Sequence, residues 1–265
     1  MARARRWRHL WGCLCDAGRG ASSTRPPYTR ATRGKAAEIQ VWQVDLCQPD
    51  EWVEQAERLL APEERAQAER GVPDVRLRRL VGRAALRIAL GRELDRAPAS
   101  LRFTTGPHGK PALEDGDVHF STSASADDCL IAITGLGPLG VDVEHVVPRR
   151  ELDRIAATRF ASREAESIAR LDGDRRLRAF YRCWTVKEAY LKARGIGLSI
   201  PLDRVVVSVD EGPPAIVALD GDDPSAWSVE AFEPGPELVG ALAVRTGGAP
   251  APGPVGVRPL PLILD

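Results

Sequence analysis

Lysine is nearly absent from this chain. Of 37 basic residues only Lys35, Lys110, Lys187 and Lys192 are lysines, which leaves 37 − 4 = 33 arginines. Long apolar runs are missing as well, so no transmembrane helix is expected. There is no net charge: 37 basic against 37 acidic residues give +0. This removes any global argument for a nucleic-acid or anionic-membrane partner. The cysteines at 13, 15, 47, 129 and 183 contain no CxxC pair and no cysteine–histidine cluster with zinc spacing. An odd count without a framework points to free thiols in a reducing, cytoplasmic setting. Cys129 and Cys183 lie in apolar segments and read as core fillers rather than nucleophiles.

What is present is enough chain, 265 residues with 43% hydrophobic, for one domain or two half-size lobes. Residues 1–37 carry eight arginines and Lys35 against Asp16, a net of +8, which leaves −8 for the rest. This stretch is Arg-rich and acid-poor like a transit peptide, but it shows no helical or strand period and reads as a disordered extension. Residues 39–46 alternate like a strand. Two helices broken at Pro62 follow, then an amphipathic helix whose apolar side holds Leu77, Leu80, Val81, Ala84, Leu86 and Ile88. Its arginines 76, 78, 79, 83 and 87 are expected on a solvated face. Strands joined by Gly/Pro turns come next, and "CLIAIT" and "GVDVEHV" are expected to pair antiparallel. Residues 151–193 are helical, with an imperfect capping box at Ser162, and end near Gly195 and Gly197. Four short strands are expected as a meander. The fold class is therefore α+β, with lobes at 38–140 and 141–246 and a Pro/Gly-rich, irregular tail at 247–265.

The residues that could do chemistry are few. On a helix, Trp184, Glu188 and Lys192 share one face at i, i+4 and i+8. As a surface pair, Glu188 and Lys192 would contribute only about 0.2–0.5 kcal/mol. Their apolar and aromatic flanks, and the choice of lysine in an arginine-rich chain, argue for more. In a strand, Asp142 and Glu144 point to one side, close enough to share a hard cation such as magnesium. Lys110 sits in a Gly/Pro turn, and Ser121, Thr122, Ser123 and Ser125 offer hydroxyls before a strand. Each feature alone is weak. Together they fit a magnesium-dependent reaction at a pyrophosphate.

In order, "GKPAL", "HFSTSAS", "GVDVEHV" and "FYRCWTVKEAYLKARGIGLSIPL" resemble the 4′-phosphopantetheinyl transferases of the surfactin-synthetase type, over roughly Ile39 to Arg245. The resemblance implies transfer of phosphopantetheine from coenzyme A to a serine of an apo acyl or peptidyl carrier protein, with release of 3′,5′-ADP. It implies two similar lobes in a pseudo-twofold arrangement with the coenzyme in the cleft between them. Asp142, Glu144 and Glu188 would hold magnesium. Glu188 would be the general base, and Lys192 would stabilise charge on the pyrophosphate, with Lys187 as a third catalytic-motif residue. Coenzyme contacts would come from Lys110, Thr122, Ser123, Asp142, Lys192 and Arg78, with Arg79 or Arg83 as alternatives to Arg78. The family reads S-H-S where this chain has Ser123-Ala124-Ser125, and Asn where it has Ser121. The implied protein is a monomer without nucleic-acid or membrane partners. A compact lysine ammonium suits a crowded pyrophosphate better than the arginine fork. Two other readings stay open: a non-catalytic coenzyme- or carrier-binding paralogue, and a magnesium-dependent pyrophosphate hydrolase.

Overall fold

The computed structural model describes residues 38–264 except 71, 117, 198–199, 210–211, 220 and 250–255. The Arg-rich stretch 1–37 lies outside the described residues.

The chain writes one sequence of elements twice. The first pass is β1 (Gln40–Asp45), α1 (Asp50–Glu57), α2 (Pro62–Ala68), α3 (Pro73–Leu94), β2 (Phe103–Thr105), β3 (Pro111–Leu113), β4 (His119–Ser125) and β5 (Asp128–Thr134). The second is β6 (Leu139–His145), α4 (Leu152–Arg159), α5 (Ser162–Ala169), α6 (Gly173–Arg194), β7 (Val205–Val207), β8 (Ile216–Leu219), β9 (Trp227–Gly235) and β10 (Leu238–Arg245). Strand order repeats too: β1-β5-β4 in one sheet and β6-β10-β9 in the other, each with a separate two-stranded ribbon, β2-β3 or β7-β8. Helices α3 and α6 both span 22 residues, offset by 173 − 73 = 100 positions.

The offset carries down to side chains. Glu64 accepts the Ala61 N–H at the start of α2, and Glu164 accepts the Ala161 N–H at the start of α5. Alanine at both caps has no side-chain acceptor, so only the glutamate half of a capping box exists. Arg87 of α3 pairs with Glu64 at 2.8 Å and donates to the Pro98 and Leu101 carbonyls. Lys187 of α6 pairs with Glu164 at 2.6 Å and donates to the Leu202 and Val205 carbonyls. Arg87, expected on a solvated face, is 2% exposed, and Arg83 is 8% exposed. The pairing with Glu64 explains how a buried cation is tolerated there.

Each lobe has its own apolar core, one between α3 and the first sheet and one between α6 and the second. Cys129 and Cys183 fill these two cores, as expected. A third, smaller core joins the lobes: Val41, Leu130 and Ala132 meet Leu139, Val141, Val143, Leu238, Leu242 and Val244. Strands β5 and β6 therefore face one another across this core and do not form the expected antiparallel pair; β5 pairs with β1 and β4, and β6 with β10. The expected meander is likewise split, because β8 pairs with β7 while β9 pairs with β10. The tail is not irregular throughout. Strand β11 (Val257–Pro259) adds parallel to β1, and Leu260, Leu262 and Leu264 pack on the first core. Apolar residues at every second position after a Pro/Gly-rich linker carry that signal.

Candidate active site

Strands β4 and β6 run along the seam between the lobes, and serine hydroxyls at every second position of β4 stitch them together. Ser121 Oγ accepts the Val141 N–H at 3.1 Å. Ser123 Oγ donates to Asp142 Oδ1 at 2.8 Å. Ser125 Oγ donates to Glu144 Oε2 at 3.0 Å and accepts the His145 N–H at 3.1 Å. The period of two is that of a strand, so all three hydroxyls share one face. "HFSTSAS" is thus itself a strand, and its hydroxyls lie on it and not just before one.

Helix α6 closes the site from the C-terminal lobe. Gly140 shows why the approach is possible: a Cβ there would lie 1.9 Å from the Ala189 carbonyl oxygen and 2.4 Å from the Ala193 nitrogen. Contact of this kind lets Asp142 and Glu144, on the same face of β6 as Gly140, meet side chains of α6. Lys192 Nζ donates to Asp142 Oδ1 and to Ser123 Oγ, both at 2.7 Å. Glu188, one turn earlier on the same helix face, is 3% exposed. Ser123, Asp142 and Lys192 are therefore brought together with Glu144 beside them, while Glu188 stays one turn away on α6 and, among the described residues, does not complete the expected three-carboxylate metal set.

The site is short of positive charge. Burial, and then the Asp142 carboxylate, push the Glu144 carboxyl up to about 7. The Ser125 hydroxyl, Lys192 and Arg149 pull it back only in part. Asp142 Oδ2 is buried without a hydrogen-bond donor. Two carboxylates on one strand face, one with an orphaned oxygen, are the donor type a hard divalent cation takes. Among the described residues no three His, Cys, Asp or Glu side chains stand close enough to hold a metal ion by themselves. A cation here would take one or two carboxylates and complete its shell on substrate oxygens, as magnesium commonly does.

A raised carboxyl means that the folded chain holds a proton that the unfolded chain has lost, from the ordinary value of 4.5 up to about 7. Stability is then complete below about pH 4.5 and falls as pH rises through 7. Glu144→Gln is expected to unfold at a higher temperature than the parent at pH 8, by at most about 3 kcal/mol, with the difference vanishing near pH 4.5. Thermal melts at the two pH values check this. A variant no more stable at pH 8 would mean that the carboxyl is not strained.

The other expected residues are placed as follows. Lys187 is 0% exposed and turned into the lobe on Glu164, so its ammonium does not join the site. Lys110 Nζ crosses from the first lobe to donate to the Leu139 carbonyl at 2.7 Å and the Ala193 carbonyl at 3.3 Å. There it caps the C-terminus of α6, and its stem packs on Gly195, whose φ of +65° ends the helix. Thr122 and Ser123 point to opposite sheet faces. Thr122 and Ala124 lie opposite Ile131 and Cys129 of the α3-side core, and Ser123 faces the seam. Arg78 Nε donates to Asp127 Oδ1 at 2.7 Å, at the β4–β5 turn that follows Ala124.

Sequence reasoning left out Ser125 as a partner of Glu144, although its place in the Ser-x-Ser-x-Ser alternation was a usable signal. It also left out Arg149, which follows β6 and bears on both Glu144 and Tyr181. Beside Arg149 a groove of about 440 Å³ opens between α4 and α6, lined by Leu152, Ile168, Leu177 and Phe180.

A family profile described as the 4′-phosphopantetheinyl transferase superfamily matches residues 138–243, which include Asp142, Glu144, Glu188 and Lys192. The chain is 32% identical over 216 residues to the 4′-phosphopantetheinyl transferase HetI of Nostoc sp., covering 80% of this chain and 89% of that one. It is 31% identical over 160 residues to the 4′-phosphopantetheinyl transferase Sfp of Bacillus subtilis, covering 60% and 70%. A Synechocystis sp. protein provisionally named as such a transferase is 38% identical over 172 residues, covering 63% and 69%. The chain belongs to the 4′-phosphopantetheinyl transferase superfamily, whose members transfer phosphopantetheine to carrier proteins.

Proposed function

We propose that this protein moves phosphopantetheine from coenzyme A to a serine of an apo acyl or peptidyl carrier protein, with magnesium, and releases 3′,5′-ADP. The observation that carries the reading is Lys192 Nζ at 2.7 Å from both Asp142 Oδ1 and Ser123 Oγ, beside the donorless Asp142 Oδ2. That arrangement offers a cation and a metal-binding oxygen at one point, as pyrophosphate chemistry requires.

Asp142, alone or with Glu144, would hold the magnesium ion, and Glu188 on the facing helix is left for proton transfer. When bound, magnesium would neutralise charge on the pyrophosphate oxygens. Glu188 takes the proton from the carrier serine, directly or through water. The serine oxygen bonds to the phosphorus that bears pantetheine, and that phosphorus loses its bond to the bridging oxygen. The bridging oxygen leaves with 3′,5′-ADP, and Lys192 offsets the charge that develops on it. Arg78 and Thr122, on the α3-side face of β4, would meet a coenzyme phosphate away from the seam, while Lys110 acts by capping α6. Arg78, held at the β4–β5 turn by Asp127, supplies the cation next to Ala124, with buried Arg83 as the alternative on the same helix.

Lys187 acts by holding α6 in place and not by touching the substrate, since its ammonium is enclosed by Glu164 and two carbonyls. Both lobes of the site come from one chain, which supports a monomer. Among the described residues no helix is long and apolar enough to cross a membrane, and the three described cysteines are free. Both fit action in the cytoplasm.

The test is intact-mass spectrometry of a broad-specificity apo carrier protein incubated with this protein, coenzyme A and magnesium. The carrier should gain one phosphopantetheine, and EDTA should prevent the gain. Free phosphopantetheine instead of a heavier carrier would assign a hydrolase. Coenzyme binding without any product would assign a non-catalytic binder.

A further inference from the structure

Tyr190 and Arg194 lie one turn apart on α6, and Lys192 projects between them from the other side of the same turn. Their side chains converge on Asp222, in the loop before β9. Asp222 Oδ2 accepts from Tyr190 Oη at 3.0 Å, from Arg194 Nη1 at 2.8 Å and from Trp227 Nε1 at 3.0 Å. Its Oδ1 accepts the Asp223 N–H at 3.0 Å. Arg194 Nη1 also donates to Tyr190 Oη at 2.7 Å, and the Tyr190 ring meets Trp227 edge-on at 4.9 Å. Burial would raise the Asp222 carboxyl. The donors from Asp223, Tyr190 and Trp227 and the Arg194 charge outweigh it and hold the carboxyl below its ordinary range.

The mirrored lobe shows what this cluster is not for. At the same offset of 100, the counterparts of Tyr190 and Arg194 are Leu90 and Leu94, which pack in the first core. In α3 these two positions are therefore seated by apolar packing, and its buried Arg87–Glu64 pair lies further back along the helix. The Tyr190–Arg194–Asp222 cluster stands on the helix whose last turn carries Lys192. Lys110 caps the Ala193 carbonyl of that turn, while Asp222 holds the turn's side chains.

We propose that Asp222 is a positioning residue for the transfer reaction. It clamps the last turn of α6 through Tyr190 and Arg194, so that the Lys192 ammonium stays on Asp142 and Ser123. The proposal rests on the transferase reading for its kinetic consequence and on the geometry alone for its structural one.

The experiment compares Asp222→Ala and the milder Asp222→Asn with the parent, in two assays. In the first, kcat for carrier modification by Asp222→Ala should fall between about tenfold and a hundredfold, the range expected for a displaced catalytic group. KM for coenzyme A should stay within about twofold, because misplacement of a group used in the transition state lowers kcat. In a Lys192→Ala background the same substitution should lower kcat no further. In the second assay, lysine acetylation at limiting acetic anhydride is followed by mass spectrometry. With four lysines in the chain, each site is read separately. Lys192 should label faster in Asp222→Ala, while Lys187 stays unreactive. Asp222→Asn keeps the shape and some acceptors, and should fall between the parent and alanine in both assays; it carries the test if alanine does not fold. An unchanged Lys192 labelling rate would overturn the clamp. So would an equal loss of kcat in the Lys192→Ala background, which marks general destabilisation. If the parent transfers nothing, the transferase reading fails while the labelling still decides the clamp.

Discussion

Glu188→Gln should modify a carrier protein about 10²- to 10⁴-fold more slowly than the parent, the loss typical of a missing general base. The side chain is 3% exposed on the helix face that carries Lys192, and glutamine keeps its shape. The unfolding transition should therefore hardly move, and coenzyme affinity should change far less than turnover. Single-turnover transfer, with a melt of the same sample, separates the two. A variant within about tenfold of the parent would remove Glu188 from proton transfer and leave water as the acceptor.

Lys187→Met should cost about 3–5 kcal/mol of unfolding free energy, the usual result of stripping one partner from a buried ion pair. Both side chains of the Lys187–Glu164 pair are 0% exposed. The lysine leaves behind a buried carboxylate that retains neutral donors such as the Ala161 and Val207 N–H groups. Urea unfolding measures the loss. Replacing both partners with apolar residues should cost less than the sum of the single substitutions. If Lys187→Met were as stable as the parent but inactive, the residue would belong with the chemistry and the architectural reading would fall.

The mirrored pair bears on why this arginine-rich chain uses lysine at all. At position 87 an arginine reaches a glutamate and two carbonyls; at position 187 a lysine does the same. The fold accepts either cation in that role, so the rarity of lysine does not mark Lys187 as catalytic. Lys192 is different. Its one nitrogen meets Asp142 and Ser123 at the same distance of 2.7 Å, a three-centre contact suited to a compact ammonium and not to a planar fork.

Much of the site was legible in the sequence because its spacing follows local periods. Asp142 and Glu144 at i,i+2 had to share a strand face, and Glu188 and Lys192 at i,i+4 had to share a helix face. Ser123 was marked by its place ahead of Asp142 in the ordered motifs. Ser125 lay in the same alternation, but nothing local pairs a hydroxyl with a carboxylate 19 residues later.

By itself, the sequence determined the α+β class, the long helices, the buried cysteines and the acids and lysine that line up at strand and helix periods. These follow from local repeats of apolar and polar residues. Tertiary structure alone decided which sheet each strand joined, and so sent β5 and β6 to opposite sides of a shared core. It alone turned Lys187 inward and Lys192 outward from one helix, and brought Asp222 to Tyr190 and Arg194 across about thirty residues of chain. Each of these depends on contacts between segments whose separation no local pattern encodes. Backbone groups and buried charges must find partners, but which partners they find is set by how the two lobes pack.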